Sequence, residues 1–491
     1  MIRGTTRGTA GGLAVIAVLA LGISLLVSWK RRSATRQLRG LIAAEIDRGS
    51  LVGLGRAQVI GRRVVLAGGD DAESPALLAF ANALLATEFG QGTIDEAEFA
   101  AARAEENLGN HPAPAASMAA RALVALRAGQ RARALELATA AAAGTGGRHP
   151  AHCALGRVRA AGGDLVGASH AFESAMVAAP SFLPAKLAWA EVRLDMGDAA
   201  AAQAVLVPIV ARAPEDVRAR LLLEEAWQML AATSGATRPV DAALESVCSQ
   251  NGALAPYVVA GCALAWSEHA RGQGDRLRAE AEAQTAGRSV PDEPRMLARA
   301  AQLLAQQGLV DRAEKLLERA TRLAAPQMPA LTWARLAVTL GHGRAATAPP
   351  GLRPTNGITR VLAARAAFAA GGAGSLAAVL DRYGAQTLEN DVDLRLLARL
   401  AAPGAAPKVE GAPPPGKPPA AAAYVEGMRA RLAGDSMSAA LHLSHALGGH
   451  ADACRAAGEY VAVLGALKRR ADGASFNSLR AENQACVNLP P

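Results

Sequence analysis

At 491 residues, with 19% charged residues and a formal net charge of +9, the chain first suggests a nucleic-acid partner. Seven basic residues and no acidic one fall within residues 1–39, which leaves only +2 for everything after them. With 3% aromatic residues there is neither a basic stripe nor a set of stacking rings, so nucleic-acid binding is excluded as the leading class.

Residues 1–11 read as a short N-terminal tail. Residues 12–29, GLAVIAVLALGISLLVSW, are 18 in number and uncharged, near the lower limit for a helix that spans a bilayer. Trp29 and the run Lys30-Arg31-Arg32 suit an anchor at the membrane interface. A cleaved signal peptide is the rival reading, with Arg3 and Arg7 as its basic start. However, no small-x-small cleavage site follows the apolar run, so an uncleaved transmembrane helix is expected. More basic residues follow this segment than precede it. The positive-inside rule therefore expects a single-pass protein of the bacterial inner membrane with its main body in the cytoplasm, the periplasm being the alternative. The basic cluster suits anionic head groups.

Residues 30–73 join this juxtamembrane segment to a degenerate first helix pair, Leu41–Arg48 and Arg56–Leu66, broken at Gly49-Ser50. A solenoid is expected over 74–401. Its first clear unit has helices at Leu77–Phe89 and Asp95–Leu108 around a turn at Gly90–Gly92. From there a register of 34 residues holds: Gly129, Gly163 and Gly197, with Ala134, Ala168 and Ala202. A fixed period of that length marks stacked helical hairpins. Segments 115–148, 149–182 and 183–216 are the best units. In the last two, glycine ends the first helix, a small alanine sits where the helices cross, and Phe172 or Leu206 takes the large apolar site. Ala175 and Ile209 follow one turn later, and Pro180 and Pro214 close the units.

Beyond Pro214 the register drifts. Helices are expected at Val217–Ala232, Val240–Ser249, Tyr257–Arg271 and Asp275–Ala286. The pattern returns at 293–326, with Gly308, Ala313, Leu317, Ala320 and Pro326. Pro329–Leu340 precedes a proline- and glycine-rich break at 342–356, after which helices resume at Gly357–Ala370, Leu376–Tyr383 and Val392–Leu400. Residues 402–420 are a proline-rich linker, read as a spacer. Residues 421–491 hold one more unit, with Gly427, Gly434-Asp435, Ala439, Leu443 and Ala446, followed by capping helices.

The landmarks of 149–182, namely Leu155-Gly156, Gly163, Ala168, Phe172, Ala175 and Pro180, resemble the tetratricopeptide repeat. His152 and Arg159 stand where that family prefers aromatic residues. The resemblance implies an all-α fold, a right-handed superhelical solenoid of helix pairs preceded by one N-terminal transmembrane helix. Such solenoids present a concave surface lined by the first helix of each unit. The candidate groove residues for a protein partner are Arg121, His152, Arg159, Lys186, Glu191 and Arg193.

Signals for chemistry are few. No Gly-rich loop ends in Gly-Lys-Ser/Thr, and neither a Gly-x-Ser-x-Gly elbow nor a His-Glu-x-x-His motif occurs. His442, His445, His450 and Cys454 lack zinc-site spacing and read as helix-surface residues. No catalytic residue, metal or cofactor is assigned, and a non-enzyme is expected. Of the five cysteines, Cys248 with Cys262 and Cys454 with Cys486 are placed to meet, leaving Cys153. The odd count favours isolated buried thiols over bridges. The expected function is a membrane-anchored scaffold for protein–protein interactions in the assembly or regulation of an envelope or membrane complex, with self-association left open. An envelope biogenesis or stress factor with catalytic or cofactor-handling activity is the alternative.

Overall fold

The structure, a computed structural model, describes residues 32–66, 71–107, 113–144, 148–214, 216–234, 255–273, 276–290, 292–307, 309–342 and 356–383, with scattered positions elsewhere. Every regular element among these residues is helical. Helix α1 (32–48) and α2 (Leu51–Leu66) make the first pair, broken at Gly49-Ser50. Then come α3 (Glu73–Glu88) with α4 (Ile94–Glu106), α5 (Ala115–Arg127) with α6 (Arg131–Ala143), and α7 (Arg148–Ala161) with α8 (Leu165–Ala178). These are followed by α9 (Leu183–Asp195) with α10 (Ala199–Arg212), then α11 (Val217–Ser234), and α12 (Pro256–Gln273) with α13 (Arg276–Ser289). Last come α14 (Pro294–Gln306) with α15 (Val310–Leu323), α16 (Pro329–Gly341), and α17 (Gly357–Leu380), which runs into a short 3-10 turn at Asp381–Tyr383. Each first helix packs on its own partner and on the first helix of the next unit, as α3 does on α5 and α5 on α7. That is the stacking pattern of a helix-pair solenoid.

The recurring Gly-Asp step explains the turns. Gly129, Gly163 and Gly197 have φ of +75°, +82° and +84°, a conformation that a side chain resists. After Gly163 and Gly197 an aspartate starts the next helix: Asp164 accepts from the Gly167 amide at 2.8 Å, and Asp198 from the Ala201 amide at 3.1 Å, whereas Gln130 after Gly129 makes no side-chain cap. Two adjacent residues thus end one helix and cap the next. Within the hairpin, Gly156 lets α7 approach α8, because a Cβ there would lie 2.5 Å from the ring of the fully buried Phe172. The same offset recurs at Gly427, where a Cβ would lie 2.7 Å from the Leu443 side chain.

Several elements differ from the sequence expectation. α1 begins well before Leu41 and α2 before Arg56, because Ile42, Ile46, Leu54, Ala57 and Val64 give the pair a buried stripe of its own. The expected break between Gly357–Ala370 and Leu376–Tyr383 is absent. α17 continues through Gly371-Gly372, since Leu362, Leu376 and Leu380 are all buried and their packing outweighs the cost of glycine, about 1 kcal/mol per residue. Cys248 and Cys262 form a disulfide with Cα atoms 5.7 Å apart, which corrects the expectation of isolated thiols. Cys153 is free and buried, and burial pushes its thiol up to about 12. Arg31, most of 12–29, most of the expected helices at 240–249 and 392–400, the linker at 402–420, Cys454, Cys486 and the capping helices lie outside the described residues. No helix among the described residues is long and apolar enough to cross a membrane.

The solenoid coils back on itself. The Ala325 amide donates to the Ala161 carbonyl at 2.7 Å, and Gln327 Nε2 donates to the Gly162 carbonyl at 3.1 Å. Arg127 meets Asp292 at 3.6 Å. The 292–328 stretch therefore seats against the ends of α5 and α7, some five units earlier, and one apolar core runs through both.

Candidate partner-binding surface on the inner helices

The first helices carry charge where the register places it inward. Arg157, Glu191 and Glu225 sit at intervals of 34 residues on α7, α9 and α11, the same position in successive units. Stacked there and removed from water, such charges persist only when paired and hydrogen-bonded. Arg157 donates to Glu88 at 2.5 Å and to Glu191 at 2.8 Å. Arg218, whose side chain is 2% exposed, donates to the other oxygen of Glu191 at 2.9 Å and also bonds Glu88. Four charges from α3, α7, α9 and α11 close into a ring. Arg218 also lies over the Tyr257 ring at 5.8 Å.

A second group continues the line. Arg295 on α14 reaches Asp195 at 2.7 Å and grips Glu225 through both terminal nitrogens, at 2.5 and 3.2 Å. Arg299, one turn on, bonds Glu225 and Glu268, each at 2.7 Å. Burial alone would push the Glu191 carboxyl up, but the guanidinium charges of Arg218 and Arg157 override it and hold it at about 2. Burial likewise opposes ionisation of Glu225, and Arg295 and Arg299 reverse the effect. At Asp195 burial prevails over Arg295, and the carboxyl is raised. Among the described residues Asp195 bonds Arg295 through Oδ1.

Two spaces flank the Asp195–Arg295 pair. On one side is a small chamber of about 90 Å3 lined by Glu88, Arg157, Glu191, Arg218 and Tyr257. On the other is an open cleft of about 540 Å3. Leu194, Met196, Trp333 and Leu352 are among its apolar lining residues, and Glu225, Arg299, Gln302 and Asn356 among its polar ones. Gln302 occupies the register position of Arg157 and Glu191 in its own unit, and its Nε2 donates to the Ala330 carbonyl at 2.9 Å. Apolar surface and fixed polar groups thus meet in one concavity.

The six residues expected in the groove are dispersed. Glu191 lies in the ion ring and on the chamber wall. Arg193 stacks over Trp189 at 4.6 Å and faces Glu173 and Asp198. Arg159 donates to the Gly167 carbonyl at 3.1 Å, at the turn. Arg121 pairs with Glu105 at 2.9 Å, between α5 and α4. His152 and Lys186 are half-buried on α7 and α9 and line neither space. Arg157, Arg218, Glu225, Arg295 and Arg299, which build the inner surface, escaped the sequence reading. The spacing of 34 from Arg157 through Glu191 to Glu225 was the signal that could have found the first of them. His445, His450 and Cys454 lie outside the described residues.

No protein-family model matches the sequence, and a search of curated proteins finds no match. Among solved structures the chain is similar to one of the APC/C hetero-tetramer Cut9-Hcn1, at 12% identity and a TM-score of 0.29, covering 87% of this chain and 92% of that one. It is also similar to a structure of Naa15/Naa10 bound to HypK-THB, at 12% identity and a TM-score of 0.23. There it covers 92% of this chain but spans only 63% of the other. Overlap that loose says nothing about partners or activity, and the repeat architecture rests on the chain's own stacked helix pairs.

Proposed function

We propose that the protein is a membrane-tethered helical-repeat scaffold that docks a segment of a protein partner in its inner cleft, in the assembly or regulation of an envelope or membrane complex. The observation that carries this reading is the cleft of about 540 Å3, lined by Trp333 and Leu352 together with Gln302 and Asn356. The test is affinity capture of the tagged chain from solubilised membranes, beside a variant with Val166→Arg and Met196→Arg. Both positions line the cleft and are exposed, so the substitutions fill the space without touching the core. A specific protein, a second copy of the chain included, retained by the wild type and lost from the variant supports the reading. No specific protein, or equal recovery from both, ends it.

One observation favours the periplasm for the solenoid over the cytoplasm. The Cys248–Cys262 disulfide belongs to an oxidising compartment. A C-terminal alkaline phosphatase fusion decides the matter: activity in intact cells supports the periplasmic side, and inactivity of a stably produced fusion supports the cytoplasmic one.

A further inference from the structure

The outward face of α2 alternates aliphatic and arginine side chains. Val52, Arg56, Val59, Arg63 and Leu66 follow one another at alternating spacings of four and three residues, which places them on one stripe of the helix. The opposite stripe, Leu54, Ala57, Gly61 and Val64, is buried, and α2 packs on α3. The outward apolar side chains are strongly exposed: Val52 at 63%, Val59 at 49% and Leu66 at 85%. α2 contains no acidic residue. Arg62 is engaged by Glu96 at 2.6 Å, whereas Arg56 and Arg63 have no carboxylate partner among the described residues. A helix face meant for water carries charges of both signs, and a face meant for a protein core carries few. Alternating aliphatic and arginine side chains fit a surface that is apolar within and anionic at its edge.

We infer that this face of α2 lies on an anionic lipid surface. The aliphatic side chains would enter the boundary between head groups and acyl chains, while the arginines extend along it to the phosphates. Chain geometry favours lipid over a protein partner. The uncharged run 12–29 ends at Trp29, itself 63% exposed, and α1 spans 32–48 before α2 begins. At about 1.5 Å per helical residue, the 22 residues from Trp29 to Leu51 keep the start of α2 within about 35 Å of the run's end. On the way α1 exposes Arg32 and Arg36 near its start and, on the other side of the helix, Leu41 at 54%, while Arg48 is paired with Glu45 at 2.6 Å. The distance part of the inference rests on the membrane-tethered reading; the composition of the α2 face does not.

The test uses the full chain with Val59→p-benzoylphenylalanine, reconstituted into vesicles of phosphatidylglycerol and phosphatidylcholine and irradiated. A second chain carries the probe at Leu135, an exposed apolar position on α6. Lipid adducts at 59 and none at 135 are expected. The yield at 59 should fall roughly fivefold or more in pure phosphatidylcholine or with Arg56→Gln and Arg63→Gln, since each basic residue near an anionic surface is worth about that factor. No lipid adduct at 59, adducts to a polypeptide instead, or equal yields at 59 and 135 overturn the inference, and equal yield in neutral vesicles overturns its anionic part. Extraction with alkaline carbonate separates the tether from the face. Retention without adducts keeps the tether and sinks the face; adducts without retention do the reverse; neither sinks both.

Discussion

Glu191 shows why the inner charges matter one residue at a time. Both of its oxygens are occupied, by Arg157 and Arg218 from different helices, and its carboxyl is held at about 2 against an ordinary 4.5. A carboxylate depressed on folding contributes stability that is fully present above its unfolded value and is lost as pH falls through the folded one. The window is therefore from about pH 4.5 down to about pH 2, and the contribution about 3 kcal/mol. Asp195 acts in the opposite sense: its carboxyl is raised, so it costs stability when ionised and the cost is relieved on acidification. Glu191→Gln should lower stability at neutral pH by about 3 kcal/mol, because Arg157 and Arg218 remain buried with only Glu88 between them. It should also flatten the acid limb. Denaturant unfolding measured across that pH range checks both; an unchanged acid limb would mean that Glu191 is not the group that titrates.

Between residues and the whole, the helix pair was the level most legible in the sequence. Gly129, Gly163 and Gly197, with Ala134, Ala168 and Ala202, announce the hairpins because a positive φ and a close crossing each admit only small residues. The inner ion lines were not legible in the same way. Arg157 within α7 reads, helix by helix, as a solvated position; only the coiling of the solenoid turns that face inward and brings Arg295 and Arg299 to it from beyond residue 290. Coiling depends on small angles between units, and no local pattern encodes them. The hairpin itself is testable at Gly156, whose added Cβ would lie 2.5 Å from the Phe172 ring. Gly156→Ala should cost about 1–3 kcal/mol through overpacking. Combined with Phe172→Leu, it should cost less than the sum of the two single changes by about 0.5 kcal/mol or more. Strict additivity in urea unfolding would show that the contact does not limit the crossing.

At the scale of the molecule, the coil is held by a shared apolar core and by buried ion pairs between distant units, and Arg295 is an ion-pairing residue that ties α14 into it. It joins α14 to α9 and α11 at once, through Asp195 and Glu225, which are 13% and 8% exposed. The backbone bond from Ala325 to Ala161 and the Gln327 bond to Gly162 lie at the hairpin ends and are easily replaced by water. The buried carboxylates have no such recourse. If Arg295 is lost, then among the described residues Asp195 has no cation partner and Glu225 retains only Arg299. Breaking a buried pair in this way costs about 3–5 kcal/mol. The relief available to a solenoid is to uncoil rather than unfold, since each unit keeps its own neighbours. Arg295→Met should therefore enlarge the radius of gyration in small-angle scattering while leaving the far-ultraviolet helical signal intact. Arg193→Met, which removes a more exposed arginine of α9, should do neither. An unchanged radius for Arg295→Met would place the closure elsewhere, and loss of the helical signal with it would mean that the units depend on the coil to fold.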